Sequence, residues 1–148
     1  MAATPTPRRR KAALPAPAPV DVGSTVPPIA ARGEISIVLE TVRYTLRPSF
    51  EAIGIIETST GKTLYELASA AEGRKLTLGD AAEIIGQCIR AHARSTSDAD
   101  MAVVRIGRIG ELIYSETGGL LVAVKVTIAP LLLLALTGGY TASGERKA

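Results

Sequence analysis

Residues 34–47, with the sequence EISIVLETVRYTLR, decide how the folded part of this chain begins. Apolar residues occupy every second position of each half, at Ile35, Ile37 and Leu39 and then at Val42, Tyr44 and Leu46. This spacing places their side chains on one face of a strand. The stretch therefore predicts a β-hairpin with Glu40-Thr41 as its turn. This turn lacks the Asn-Gly or Asp-Gly pair that two-residue turns favour, which leaves the register open.

Helix-capping signals follow the hairpin and predict a bundle of helices. Ser49 is placed to cap a helix that starts at Phe50 and ends near Gly61. Capping-box patterns at 63–66, 77–80 and 97–100 predict three more helix starts. Two strands alone need helices to cover their apolar face. We therefore predict an α+β fold, in which an N-terminal β-hairpin precedes a small bundle of about four to five helices.

The segment Leu120–Leu136 is apolar apart from Lys125 and Thr127, and Pro130 lies in its middle. As a membrane span it is short, because its 17 residues fall below the number, about 20, that a bilayer requires. A helix that is apolar on all sides also exceeds what a small domain can cover. The segment therefore fits either a buried helix or an apolar surface for a partner, and Pro130 is expected to kink or split it.

The first 32 residues differ in composition from the rest of the chain. They contain seven of the nine prolines, and five basic residues against one acidic residue. Such a stretch buries too little apolar surface to fold, so we predict a disordered, basic, Pro/Ala-rich tail over 1–32. We expect the folded domain over 33–139 and a polar C-terminal tail over 140–148.

The distribution of charge argues against a requirement for nucleic acid. Residues 33–148 carry 12 basic and 13 acidic groups, whereas a DNA-binding domain concentrates basic charge on a folded face. The low aromatic content of 3% also disfavours binding by base stacking. A basic arm at residues 8–11 is the alternative.

No group of residues in the sequence points to catalysis. His92 is the only histidine and Cys88 the only cysteine, whereas a zinc site needs three or four ligands. The stretch Gly61-Lys62-Thr63 lacks the glycine spacing of a phosphate-binding loop, and a helix end followed by a helix cap explains it. We therefore expect a non-enzymatic protein without metal or cofactor. A single cysteine excludes an intrachain disulfide and fits the reducing cytoplasm.

Several stretches together resemble the small tail-assembly chaperones that gene transfer agents and related phages encode. The resemblance covers 33–139, and the run Tyr44–Phe50 is its most specific part. The stretches that carry it are GEISIVL (33–39), RYTLRPSF (43–50), EAIGIIET (51–58), TGKTLYELA (60–68), LTLGDAAEII (76–85) and GGLL (118–121).

This resemblance implies a non-catalytic, cytoplasmic chaperone that binds the tape-measure protein during tail morphogenesis. The long amphipathic helices of such a partner would require a complementary apolar groove. We expect the final helix and the exposed part of the hairpin to supply it. The candidate partner-binding residues are Tyr44, Leu46, Phe50, Leu120, Leu121, Val124, Leu131, Leu132 and Leu134.

Two alternatives to the chaperone remain at this stage. One is a structural tail component, bound to other tail proteins and retained in the particle. The other is a small membrane-associated protein anchored by residues 120–136, which the length of that segment disfavours. Self-association of the chain is also left open.

Overall fold

The computed structural model describes residues 35–147, so the tail predicted over 1–32 lies outside the described residues. Within 35–147 a two-stranded sheet is followed by five helices, which confirms the predicted α+β fold. The elements are β1 (Ile35–Leu39), β2 (Val42–Leu46), α1 (Phe50–Thr60), α2 (Leu64–Glu72), α3 (Leu78–Ser95), α4 (Ile106–Ser115) and α5 (Gly119–Leu136).

The strands β1 and β2 pair antiparallel as the period-two pattern predicts. Ile35 lies opposite Leu46, and Leu39 lies opposite Val42. The apolar positions of the two strands share the face that packs on the helices, and the side chains of Ile37, Leu39, Tyr44 and Leu46 are buried there. Because a shift by one residue would turn this whole set toward solvent, burial fixes the register that the turn sequence leaves open.

The turn between the strands is held from outside the hairpin. Glu40 and Thr41 have φ values of 50° and 65°, the left-handed backbone that a two-residue turn needs and that glycine adopts most easily. The backbone N–H of Glu40 donates a 3.0 Å hydrogen bond to Oε1 of Glu116. The Glu40 carboxylate lies 3.5 Å from the guanidinium of Arg108 on α4. These contacts stabilise a turn that contains no glycine.

The first two helices begin and end at the predicted caps. The Ser49 side chain accepts a 3.1 Å hydrogen bond from the backbone N–H of Ala52. Gly61 ends α1 in the left-handed conformation, with φ 70°. Thr63 and Glu66 then form a reciprocal capping box at the start of α2. Helix boundaries set by hydrogen bonds between neighbours in sequence can be predicted without knowledge of the tertiary structure.

The central element of the domain is α3, which packs against α1, α4 and β2. The Thr77 side chain caps it by accepting a 3.0 Å hydrogen bond from the N–H of Asp80. Its inward face is buried, including Ala81, Ile85, Cys88 and Ile89.

The prediction that the pattern at 97–100 starts a long helix is wrong. The chain forms a single 3₁₀ turn at Met101–Val103, and α4 begins only at Ile106. The guanidinium of Arg90 donates hydrogen bonds of 2.9 and 2.6 Å to the carbonyl oxygen of Val104. Since that carbonyl is bound to a distant side chain, the helical hydrogen-bond pattern stops there.

The final helix, α5, passes through Pro130 without a break. Residues Ala123–Ile128 are π-helical, and the α-helix resumes at Ala129–Leu136. Proline cannot donate a backbone hydrogen bond to the preceding turn. The π segment lies directly before Pro130, where the α-helix lacks the backbone hydrogen bond that proline cannot donate. The proline therefore changes the helical pitch but does not split the helix.

The inward face of α5 completes the core. Ile128, Leu131 and Leu132 are fully buried. The helix packs against α2, α3, α4 and β1. It therefore connects elements that lie far apart in the sequence.

The segment predicted as a polar tail over 140–148 is packed against the domain in its described part, which ends at Lys147. The carbonyl of Ala142 accepts a 2.8 Å hydrogen bond from the N–H of Phe50, at the start of α1. Tyr140 and Arg146 form an isolated β-bridge. The segment thus satisfies a donor at a helix N-terminus that would otherwise need water.

We predict unequal effects of two substitutions on α5. Ile128→Ala is expected to lower the free energy of unfolding by about 2–5 kcal/mol, because it leaves a cavity in a packed core. Leu133→Ala on the same helix is the matched control. Its side chain is 51% exposed, so a change within about 0.5 kcal/mol is expected. Urea denaturation followed by circular dichroism measures both, and equal losses would contradict the assignment of Ile128 to the core.

A second prediction concerns the docking of the C-terminal segment. Gly144 has φ 89°, and a Cβ atom added there would lie 2.7 Å from the backbone nitrogen of Ser49. Gly144→Ala is therefore expected to release the segment and speed hydrogen exchange at the Phe50 amide. Gly54→Ala in α1 is the control, because a Cβ there meets no atom within 4 Å and alanine favours a helix by about 0.5–1 kcal/mol. Unchanged Phe50 exchange in Gly144→Ala would show that the segment does not protect α1.

Candidate partner-binding surface

One side of α5 exposes a stripe of apolar side chains. Their exposed fractions range from 45% at Val122 to 66% at Val126. Lys125, the only charged residue of the helix, is exposed on the same side. The exposed apolar residues of α5, here named the α5 stripe, are Leu121, Val122, Val126 and Leu133. A contiguous apolar surface of this kind marks a site of protein or membrane contact.

The structure divides the nine predicted partner-binding residues into three groups. Five are buried in the subunit's own core, namely Tyr44, Leu46, Val124, Leu131 and Leu132. Leu120 and Leu134 are half-buried, whereas Phe50 and Leu121 are 81% and 58% exposed. The first five have little area left for a partner in this subunit, because their side chains pack within its own core. For Phe50 and Leu121 the partner-binding role stays a prediction.

Val122, Val126 and Leu133 form most of the α5 stripe but were not among the predicted residues. An apolar segment offers no polar face from which to infer its orientation. The π segment also shifts which positions point outward after residue 123. Lys125 was the available signal, because a lone lysine marks the side of a helix that faces water.

A groove of about 220 Å³ runs between β1 and α5. Residues Ser36–Leu39 form one wall, and Val122, Ala123, Val126 and Thr127 contribute to the other. Most of the lining residues are apolar, Glu116 and Thr117 add polar groups, and two residues of the α5 stripe border the groove.

Phe50 borders a different groove, of about 330 Å³. Ile53, Leu64, Ala135 and Tyr140 are among its lining residues. The structure therefore does not bring Phe50 together with Leu121 in one groove, although sequence analysis grouped them.

The pair Cys88 and His92 lies on α3, and both residues are buried. Burial raises the pKa of the Cys88 thiol to about 12, which disfavours the thiolate that nucleophilic or metal-binding chemistry uses. Burial likewise raises the pKa of Tyr140 to about 12. Among residues 35–147, no three His, Cys, Asp or Glu side chains are grouped so that they could hold a metal ion.

The stretch Gly61-Lys62-Thr63 has the capping role that sequence analysis gave it. Gly61 ends α1 and Thr63 caps α2. Lys62 Nζ lies 2.6 Å from Oδ2 of Asp80 at the start of α3. The lysine therefore links the connection between α1 and α2 to the start of α3.

In length and hydropathy α5 also meets the requirements of a membrane span. Its 18 residues have a mean hydropathy of 2.4, and 33% of them are buried inside the domain. A core helix of a soluble protein passes the same test. The full burial of Ile128, Leu131 and Leu132 ties this helix to the domain.

An α+β domain with exposed apolar side chains on its final helix has the features of a subunit that binds other proteins. The chain belongs to the family described as phage tail tube protein, GTA-gp10, whose model matches residues 32–138. This places it among the tail proteins of phages and gene transfer agents, which interact with other tail proteins. No match was found among the curated proteins or the solved structures.

The family corrects the main functional expectation from the sequence. A tail tube protein is a structural component, so the expectation of a non-structural assembly chaperone is wrong. The alternative of a structural tail component agrees with the family. Both roles require an apolar surface for other tail proteins, which is why the residues alone did not separate them.

The burial of Cys88 makes a prediction about pH. A folded-state pKa of about 12 against an ordinary value of 9.0 contributes stability that is complete below pH 9.0 and is lost as the pH rises through about 12. We expect the free energy of unfolding to fall above pH 9.0, and to fall less steeply in Cys88→Ala. Urea denaturation at a series of pH values measures this slope. Equal slopes in the two proteins would contradict a thiol kept protonated by burial.

Proposed function

We propose that this chain is a structural subunit of a phage-type tail that is retained in the finished particle. The family match over 32–138 carries the proposal, because it spans nearly all of the domain described at 35–147. The matched region therefore contains both strands and all five helices, and only the C-terminal segment lies beyond it.

The exposed aromatic residues support a subunit with several neighbours. Three of the five aromatic side chains are more than three-quarters exposed: Phe50, Tyr65 and Tyr114. Aromatic residues are enriched at protein interfaces, where they supply much of the binding energy. These three begin or lie within α1, α2 and α4. With the α5 stripe they offer contacts on more than one element, as a subunit embedded in an assembly requires.

The role is non-catalytic, and the chain resides in the cytoplasm before assembly. The thiol of Cys88 is buried and Lys62 is ion-paired, which leaves little reactive chemistry at either position. The partners are other tail proteins. Within that group the tape-measure protein stays the predicted partner, as a neighbour in the tail.

We expect quantitative mass spectrometry of purified particles to find this chain at many copies per particle. A soluble host protein, measured in the same preparations, controls for carry-over of cytoplasm. Detection of untagged protein avoids a tag on the C-terminal segment, which packs against α1.

Two results would contradict the proposal. The chain could be abundant in the lysate but reduced to the level of the control protein in particles. Alternatively, fractionation of the cells could recover it only with membranes, which would favour anchoring by residues 120–136.

A further inference from the structure

Within residues 35–147, one edge of the hairpin carries backbone hydrogen-bonding groups that no other described segment pairs with. In the observed register, Leu39 pairs with Val42 across a two-residue turn, and Ile37 pairs with Tyr44. These pairs exchange backbone hydrogen bonds, so the alternate residues Ser36 and Val38 direct their N–H and C=O groups away from β2. Between residues 35 and 147, no other segment makes a backbone hydrogen bond to them.

The sequence of β1 does not protect this edge. Its residues, ISIVL, include no charged side chain, proline or glycine, and every one of them is paired in register with β2, without a bulge. Charged side chains, proline and bulges usually block a free strand edge in proteins, because an open edge accepts a strand from another chain. An unblocked edge that borders an apolar groove is therefore a docking site for a strand.

The chemistry of β1 fits a second copy of the same strand. Antiparallel pairing centred on Ile37 places Ser36 of each copy opposite Val38 of the other. These are the two residues whose backbone groups point outward, so both pairs can exchange hydrogen bonds. Because β1 itself carries no charge, no like charges meet within its five paired residues. The carboxylate of Glu40, next to the strand, is already held by Arg108.

The register also aligns the apolar faces of the two hairpins. Ile37 meets Ile37 of the second copy, and Ile35 lies opposite Leu39, so the core-facing residues stay on one side of the extended sheet. The incoming strand enters the groove beside β1, where Val122 and Val126 form part of the opposite wall. Their side chains are 45% and 66% exposed, which leaves apolar area for the second copy to cover.

We propose that two copies of this chain associate through β1, forming one continuous antiparallel sheet about a two-fold axis at Ile37. This dimer is a property of the soluble subunit and does not depend on its role in the tail. A failure of the dimer would therefore leave the test on particles unaffected.

The test uses the full chain and sedimentation equilibrium to measure its mass. The wild-type chain is expected to sediment as a dimer at micromolar concentration. In one variant, Ser36→Lys and Val38→Lys are combined, and in another, Ser36→Glu and Val38→Glu. Each variant alone places like charges opposite one another across the two-fold axis and is expected to sediment as a monomer.

Mixing the two variants gives the decisive result. Each cross-strand pair would then join a lysine to a glutamate, so an equimolar mixture is expected to regain the mass of a dimer. Val103→Lys is the matched control, because this side chain in the 3₁₀ turn at Met101–Val103 is 72% exposed and lies outside the groove. It is expected to leave the dimer intact.

Hydrogen exchange in the wild-type chain provides a second measurement that does not depend on the folding of the variants. Exchange at the Ser36 and Val38 amides is expected to slow as protein concentration rises. A monomeric wild-type chain, dimerisation unchanged by both charge variants, or a mixture that stays monomeric would each overturn the proposal. So would concentration-independent protection of the two amides, which would indicate a strand from the same chain.

Discussion

The packing of α5 against both the hairpin and the other helices is the interaction on which the rest of the structure depends. Ile128, Leu131 and Leu132 are fully buried, and the helix touches α2, α3, α4 and β1. A two-stranded hairpin has little stability alone. Contacts between the last helix and the first strand therefore close the domain, and they join segments separated by most of its sequence.

The same helix has to serve two environments. Its inner side fills the core, while the α5 stripe faces water in the isolated subunit. This dual demand explains a sequence that is apolar almost throughout and that approaches the composition of a membrane span. In a subunit built for assembly, exposed apolar area is retained because neighbouring subunits remove it from water.

Surface chemistry alone does not distinguish a chaperone from a structural component. Both bind tail proteins through apolar surface, and they differ in whether the contact persists. Affinity depends on preorganisation and on a few central residues more than on buried area. Residue types at the surface could thus suggest the machinery, whereas the family description of a tail tube protein was needed to assign the structural role.

The sequence by itself determined the features that depend on near neighbours. The hairpin follows from alternation in 34–47, and the starts of α1, α2 and α3 follow from caps at Ser49, Thr63 and Thr77. These rest on hydrogen bonds and side-chain directions within a few residues. Sequence pattern did not show that Tyr44, Leu46 and the inner residues of α5 are buried in the core, because that burial depends on contacts between distant segments.

Only the tertiary structure decided the orientation of α5, the start of α4 and the docking of the C-terminal segment. The Arg90 side chain donates a hydrogen bond to the carbonyl of Val104, 14 residues further along the chain. The carbonyl of Ala142, in the C-terminal segment, accepts a hydrogen bond from the backbone N–H of Phe50. Local patterns cannot show such partners. For the uniformly apolar α5, the side that faces water is set by which surfaces the other helices offer to cover it.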